Sequence, residues 1–315
     1  MFSLNRRMLL LAGCSSIMTV SLPDVYRASA AEQEGQVALP NGVIAYKVIG
    51  SGSPIVLLAG GPGADSDYLM PVAQQLSQTH RVVLPEPRGM GASTLTRYEK
   101  DTLNFKLYVD DVEALRSSIG VDQWTVIGHS WGGHWALGYV ADYPSHVKSL
   151  VIIDSGFPDP KTQKAVSADR SAAIKPPELE KIKYWSDPQR TAADPEKANL
   201  EIWKAFLPVF FVDKAKGDQF VREIQPYRFK AVVGNLMDAD GNKAADTLPI
   251  LRGSTIPALY IVGQQDLVGD SADQFKMLMP NLKVQTIAQS GHFPWIEQPE
   301  AFYAVLLGYL KDVGG

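Results

Sequence analysis

The sequence predicts an α/β protein with a mostly parallel sheet, helices on both faces and a helical insertion near the sheet's carboxyl edge. Three observations carry this. First, Ile55–Leu58 is a continuous apolar run, the character of a strand covered on both sides, and Trp124–Ile127, Ser149–Ile153 and Ala258–Val262 read as further short buried strands. Second, amphipathic helical patterns alternate with these runs, as in a sheet built from strand–helix–strand units. Third, the alternation stops after Asp154 and resumes only at about Pro257, a gap far longer than an ordinary connection of ~2–6 residues.

Taken in order, the first thirty residues stand apart. Arg6 and Arg7 precede an apolar stretch from Met8 through Val20, and Ala28-Ser29-Ala30 offers small side chains where a signal peptidase cleaves. Residues 1–30 are therefore expected to be an export signal, twin-arginine-like or ordinary secretory, sending the mature chain to the bacterial periplasm or out of the cell. Cys14 in Leu11-Ala12-Gly13-Cys14 resembles a lipoprotein box. That alternative is the weaker one, because it shrinks the apolar core to Met8–Gly13.

Beyond the leader, Gln36–Leu39 and Val43–Ile49 flank the turn pair Asn41-Gly42 and predict a hairpin. The Ile55–Leu58 strand ends at Ala59-Gly60-Gly61-Pro62-Gly63. A helix is expected over Tyr68–Leu76 and a strand over Arg81–Leu84. Phe105, Tyr108, Val109, Val112, Leu115 and Ile119 mark one helix face, with Gly120 as its stop. The Trp124 strand runs into Gly128-His129-Ser130-Trp131-Gly132, and a helix follows over Gly133–Tyr143. Strands at Ala258–Val262 and Val284–Ile287 precede a last helix, with Pro299 in its first turn and Phe302, Val305, Leu306, Tyr309 and Leu310 on one face. The expected organisation is a core from residues 31–154 and 258–315, with 155–257 as a helical cap.

Composition narrows the function classes. The 315 residues are 45% hydrophobic and 20% charged, ordinary for a soluble enzyme. A formal charge of −4 gives no basic footprint for nucleic acid. Internal apolar stretches are too short to span a bilayer. Cys14 is the only cysteine, so cleavage after Ala30 leaves no disulfide, thiol nucleophile or thiolate ligand.

The chemistry-bearing residues lie at strand ends. A serine on a strand-to-helix turn must take a strained backbone, and Gly128 and Gly132 remove the side chains that would clash there. Serine needs a base, usually a histidine held by a carboxylate. Of five histidines, His292 in Ser290-Gly291-His292-Phe293-Pro294 lies in the loop between the last strand and the last helix, which opens at the same carboxyl edge as Ser130. Asp266, after the Ala258–Val262 strand, is the expected carboxylate; Asp154 is its rival and Asp270 a weaker one. The order Ser130, Asp266, His292 is that of a serine–acid–histidine triad in this architecture. The backbone amides of Gly61 and Trp131 are the candidate donors to an oxyanion. The glycine-rich loop has no Gly-Lys-Ser/Thr continuation, which disfavours nucleotide binding.

Together, Gly60-Gly61-Pro62-Gly63, Arg88-Gly89-Met90-Gly91-Ala92-Ser93 and Gly128-His129-Ser130-Trp131-Gly132-Gly133 resemble the prolyl-aminopeptidase (proline iminopeptidase) branch of the α/β-hydrolases. The resemblance covers nearly all of the chain beyond the leader. Ala59 departs from it, standing where those enzymes usually have histidine, and Glu86-Pro87 replaces their Asp-Gln. The resemblance implies the α/β-hydrolase fold and a serine hydrolase acting on an ester or amide of a small molecule or short peptide through an acyl-enzyme, with no metal or organic cofactor. An aminopeptidase, a carboxylesterase and a lactonase all fit; carbon–carbon bond hydrolysis and cofactor-free haloperoxidase-type chemistry are more distant alternatives. In the aminopeptidases an acidic group near the pocket holds the substrate's amine. Glu178, Glu180, Glu201 and Glu223 lie in the insertion, where solvated helix charges are the plainer account of each. Trp185, Trp203 and Phe210 are expected mostly in the insertion's own core.

Overall fold

The structure, a computed structural model, describes residues 32–224, 228–240 and 243–314. The leader expected over residues 1–30, with Cys14, lies outside them.

One sheet contains strands β1 (Glu32–Leu39), β2 (Gly42–Ile49), β3 (Ser53–Leu58), β4 (His80–Pro85), β5 (Thr94–Leu95), β6 (Trp124–His129), β7 (Val147–Ile153), β8 (Ala258–Gly263) and β9 (Lys283–Ile287). Their order is β1-β2-β4-β3-β6-β7-β8-β9, with the short β5 on β2. β1 and β2 form the antiparallel hairpin around Asn41-Gly42, and β2 joins β4 antiparallel. From β4 to β9 the pairing is parallel. The chain moves outward from β3 to β4, then crosses back to place β6 on the other side of β3. Loops leaving β3 and β6 therefore diverge at a reversal of strand order, where open α/β sheets bind ligands.

The apolar runs are explained by burial on both faces. Val56 and Leu58 of β3 belong to one core, with Tyr108 and Val112 of α2 (Phe105–Ser118) and Trp135 and Tyr139 of α3 (Trp131–Asp142). Ile55 and Leu57 face the opposite core, with Val72 and Leu76 of α1 (Met70–Leu76) and Phe302 and Leu306 of the last helix (Pro299–Asp312). α2 begins where the Asn104 side chain accepts the Leu107 amide at 3.0 Å. It ends before Gly120, whose φ of +66° suits a residue without a Cβ. Stacking of Tyr108 on Trp135 locks α2 to α3, with ring centroids 3.6 Å apart.

Between β7 and β8 the described chain is helical: α4 (Pro160–Ala173), α5 (Pro176–Trp185), α6 (Pro188–Ala193), α7 (Pro195–Phe206), α8 (Lys214–Glu223), α9 (Ala231–Asp240) and α10 (Leu248–Leu251). Three begin at Asp-Pro pairs. Asp159, Asp187 and Asp194 each accept amides of the first turn while proline occupies the first helical position, where no amide hydrogen is needed. Asp213 caps α8 in the same way. After β8, α11 (Ala272–Leu278) leads to β9, and α12 (Pro294–Glu297) leads to α13 (Pro299–Asp312).

Candidate active site

β6 delivers Ser130 onto a turn with φ 55° and ψ −126°, outside the ordinary backbone regions. The Ser130 amide donates to the Ile153 carbonyl of the neighbouring strand at 2.9 Å, and the Ser130 carbonyl accepts from Gly133 at 2.9 Å as α3 begins. A Cβ at Gly128 would overlap the Gly132 carbonyl, and one at Gly132 would overlap the Leu58 carbonyl. The two glycines therefore permit the turn by letting three backbone segments meet.

His292 follows β9, is 4% exposed, and shares one cavity of about 660 Å³ with Ser130, Gly60 and Gly61. Its Nδ1 lies 3.0 and 3.1 Å from the two carboxylate oxygens of Asp266. With Nδ1–H given to Asp266, Nε2 remains the acceptor nitrogen. Asp266 Oδ1 also accepts the Val268 amide at 3.0 Å. The rival Asp154 is fully buried and turned to another task, accepting the Gly263 amide at 2.7 Å. Burial, reinforced by the charge of Asp266, pushes its carboxyl well above the usual range. Asp270, two residues before α11, is exposed and accepts the Ala272 amide at 2.8 Å.

Gly61, at φ +133°, lines the cavity beside Ser130, and Trp131 borders a second cavity that Ser130 and Gly61 also line. Among the described residues neither the Gly61 nor the Trp131 amide has a hydrogen-bond partner. Both are thus free to donate.

Ala59 leaves the glycine-rich loop without a polar side chain of its own, and the support comes from Tyr68. The Gly60 amide donates to the Tyr68 hydroxyl at 2.6 Å. That hydroxyl donates in turn to His129 Nδ1 at 2.8 Å. His129 Nε2–H then donates to the His292 carbonyl at 2.9 Å. One unbroken chain therefore ties the glycine loop, the serine turn and the histidine loop. It fixes the His129 tautomer, and burial holds that imidazole well below its ordinary pKa, neutral. Nothing in the sequence pattern singles out Tyr68, which enters only as the start of a helix.

Glu297 is a second residue the sequence gives no reason to choose. Its buried carboxylate accepts amides from Val212 at 2.8 Å, Asp213 at 2.9 Å and Gly291 at 2.6 Å. The His292 amide donates to the Phe210 carbonyl at 2.9 Å. The helical insertion is thereby stitched to the histidine loop. Phe210 and Trp203 pack on Phe206 of the insertion but also line the cavity, and the Phe210 ring lies 4.7 Å from that of His292. This corrects the expectation for those two aromatics. Glu178, Glu180, Glu201 and Glu223 line neither cavity that holds Ser130.

A strained serine at a strand end, a histidine backed by a carboxylate and the unoccupied Gly61 amide in one cavity, with the unoccupied Trp131 amide on the cavity adjoining it, have the parts of an acyl-transfer site. Comparison with known proteins agrees. The family described as alpha/beta hydrolase fold matches residues 53–299. A proline iminopeptidase of Heyndrickxia coagulans is 27% identical over 300 residues, covering 89% of this chain and 99% of that protein. One from Lactobacillus delbrueckii subsp. lactis is 28% identical over 274 residues, covering 82% and 90%. Among solved structures, a proline iminopeptidase-related protein from Thermus thermophilus superposes with a TM-score of 0.71 at 19% identity, covering 90% of this chain and 98% of that one. The chain belongs to the α/β-hydrolase family and is a hydrolase.

Proposed function

We propose that this protein is a serine hydrolase cleaving an ester or amide of a small substrate through an acyl-enzyme. Ser130 attacks the carbonyl carbon, and His292 Nε2 takes the hydroxyl proton and returns it to the leaving group. Asp266 holds the imidazole in the tautomer this requires, and the Gly61 and Trp131 amides receive the charge that develops on the carbonyl oxygen. Water then enters by the same route and releases the acid. The observation that carries this reading is that Ser130 and His292 line one cavity while the far nitrogen of His292 rests on Asp266. Ser130→Ala should lower kcat by about 10⁴–10⁶-fold; a variant with full turnover overturns the assignment.

The names of the relatives support an aminopeptidase that releases N-terminal residues. A carboxylesterase or lactonase is favoured by a different observation: none of the four insertion glutamates lines the cavities, and of the two carboxylates that do, Asp65 is already paired with Arg228 and Asp238 shares its cavity with the Arg170 guanidinium. Proline naphthylamide against short p-nitrophenyl esters separates the two, since turnover of only the former selects the peptidase. We further infer that residues 1–30 direct export, on the strength of Arg6-Arg7, the apolar run and Ala28-Ser29-Ala30. Exported protein should begin at Ala31, and an intact Met1 in that fraction contradicts it.

A further inference from the structure

Ser130 sits where two differently lined, solvent-connected cavities meet. One, of about 660 Å³, is walled by Tyr68, Leu207, Phe210, Phe220, Phe229 and Phe293. The other, of about 1050 Å³, is polar, with Gln163, Ser167, Asn199 and Asp238 on its wall. Gly61, Ser130, Trp203 and Arg170 line both. A substrate whose scissile bond reaches Ser130 therefore has space for an apolar part on one side and a polar part on the other.

Arg170, from α4, is the cation at this junction. Its Nε is buried without a hydrogen-bond partner, and among the described residues its guanidinium makes no hydrogen bond or ion pair. The nearest aromatic support is the Phe206 ring, 6.0 Å away. Two carboxylates line these cavities, and neither is paired with it. Asp238 shares the polar cavity and feels the guanidinium's charge, yet it is solvent-exposed and forms no ion pair with Arg170. Asp65 is held by Arg228 at 3.3 Å, and burial pushes its carboxyl up to about 7 despite that partner. Asp67 also lies 3.6 Å from Arg228, and Asp266, whose charge Arg170 feels together with that of Asp238, spends its carboxylate oxygens on His292 and the Val268 amide. A partly desolvated guanidinium with no bonded partner is costly, and its planar fork of donors suits a carboxylate.

We propose that Arg170 binds a carboxylate on the substrate, so that this hydrolase acts on esters or amides with one apolar half and one carboxylate-bearing half. The proposal rests on Ser130 being the nucleophile of the same cavity. It also runs against a substrate whose only charge is a protonated amine, because the junction already carries an unpaired positive charge.

Two pairs of esters test it. The p-nitrophenyl monoester of adipic acid is compared with the p-nitrophenyl ester of adipic monoamide, placing the charge on the acyl side. The hexanoyl ester of p-hydroxybenzoic acid is compared with that of p-hydroxybenzamide, placing it on the leaving group. Each kcat/KM is normalised to uncatalysed hydrolysis. In at least one pair the wild-type enzyme should favour the carboxylate by about 10–100-fold, the range expected of a charge-assisted hydrogen bond. Arg170→Gln should bring that ratio close to one, and Arg170→Lys, which keeps the charge but not the fork, should retain part of it. Equal rates within both pairs for the wild-type enzyme would overturn the proposal, as would a ratio that survives in Arg170→Gln. Both outcomes leave Ser130-dependent hydrolysis intact. Loss of Ser130 dependence on every ester would instead bring down the nucleophile assignment and this proposal with it.

Discussion

A backbone amide left bare behind a catalytic loop is both unstable and badly aimed, and the Tyr68 phenol answers both problems for Gly60. Because the same hydroxyl reaches His129, which in turn holds the His292 carbonyl, a single side chain sets the spacing of three loops. Removing the hydroxyl orphans the Gly60 amide and His129 Nδ1, at a cost of about 1–3 kcal/mol for a buried group left unpaired. Tyr68→Phe should therefore lower kcat by about 10-fold or more while KM changes little, since the Gly61 amide beside it matters most when charge develops on the substrate oxygen. An unchanged kcat would show that the loop holds its shape unaided. Ser130, Asp266 and His292 were legible in the sequence because glycine spacing and position after apolar strands mark them. Tyr68 and Glu297 carry no such mark, because their roles come from partners distant in the chain.

At the scale of elements, legibility follows length and burial. β3 was readable as an unbroken apolar run and β6, β7 and β8 as short, strongly apolar ones, and α2 and α13 as long stripes over a core. β5, at two residues, and α12, at four, are too short for any period to show. The insertion was readable as helical but not as the seven separate helices its described residues form, since short, solvent-facing segments dilute the pattern. Its boundaries were nonetheless written in the sequence: Asp-Pro at 159–160, 187–188 and 194–195 supplies a capping carboxylate followed by a residue that needs no amide partner. Each such cap contributes about 1 kcal/mol. What no local signal foretells is how the insertion docks. The Glu297 carboxylate, gathering three amides, and the bond from His292 to Phe210 fix that docking at the histidine loop. Trp203 and Phe210 of the insertion line the cavity as a result.

At the scale of the molecule, two buried histidines give folding a definite pH dependence. His134 donates from Nε2 to the Gly156 carbonyl at 2.8 Å, and burial depresses its pKa to about 4. His129 is depressed well below its ordinary value, again chiefly by burial. Between about pH 6.5 and 4 the unfolded chain binds protons at these positions that the folded chain refuses, so the stability these two residues contribute is lost as pH falls through that window. His134 alone accounts for about 3 kcal/mol across it at most. Buried Asp65 and Asp111, each with its carboxyl raised to about 7 by burial, act in the opposite sense over the same range. The test is therefore a difference: the urea midpoint of the wild type relative to His134→Gln, which can still donate to Gly156, should fall from pH 7 to pH 5, and a difference that stays constant would contradict this account.

The central claim is that the strained Ser130 hydroxyl is the activated nucleophile, and covalent labelling tests it most directly. A fluorophosphonate should add one phosphonyl group per chain, mapped by peptide mass spectrometry to Ser130 and greatly slowed in His292→Ala. An adduct on another residue, or equal labelling of Ser130 with and without His292, would contradict it.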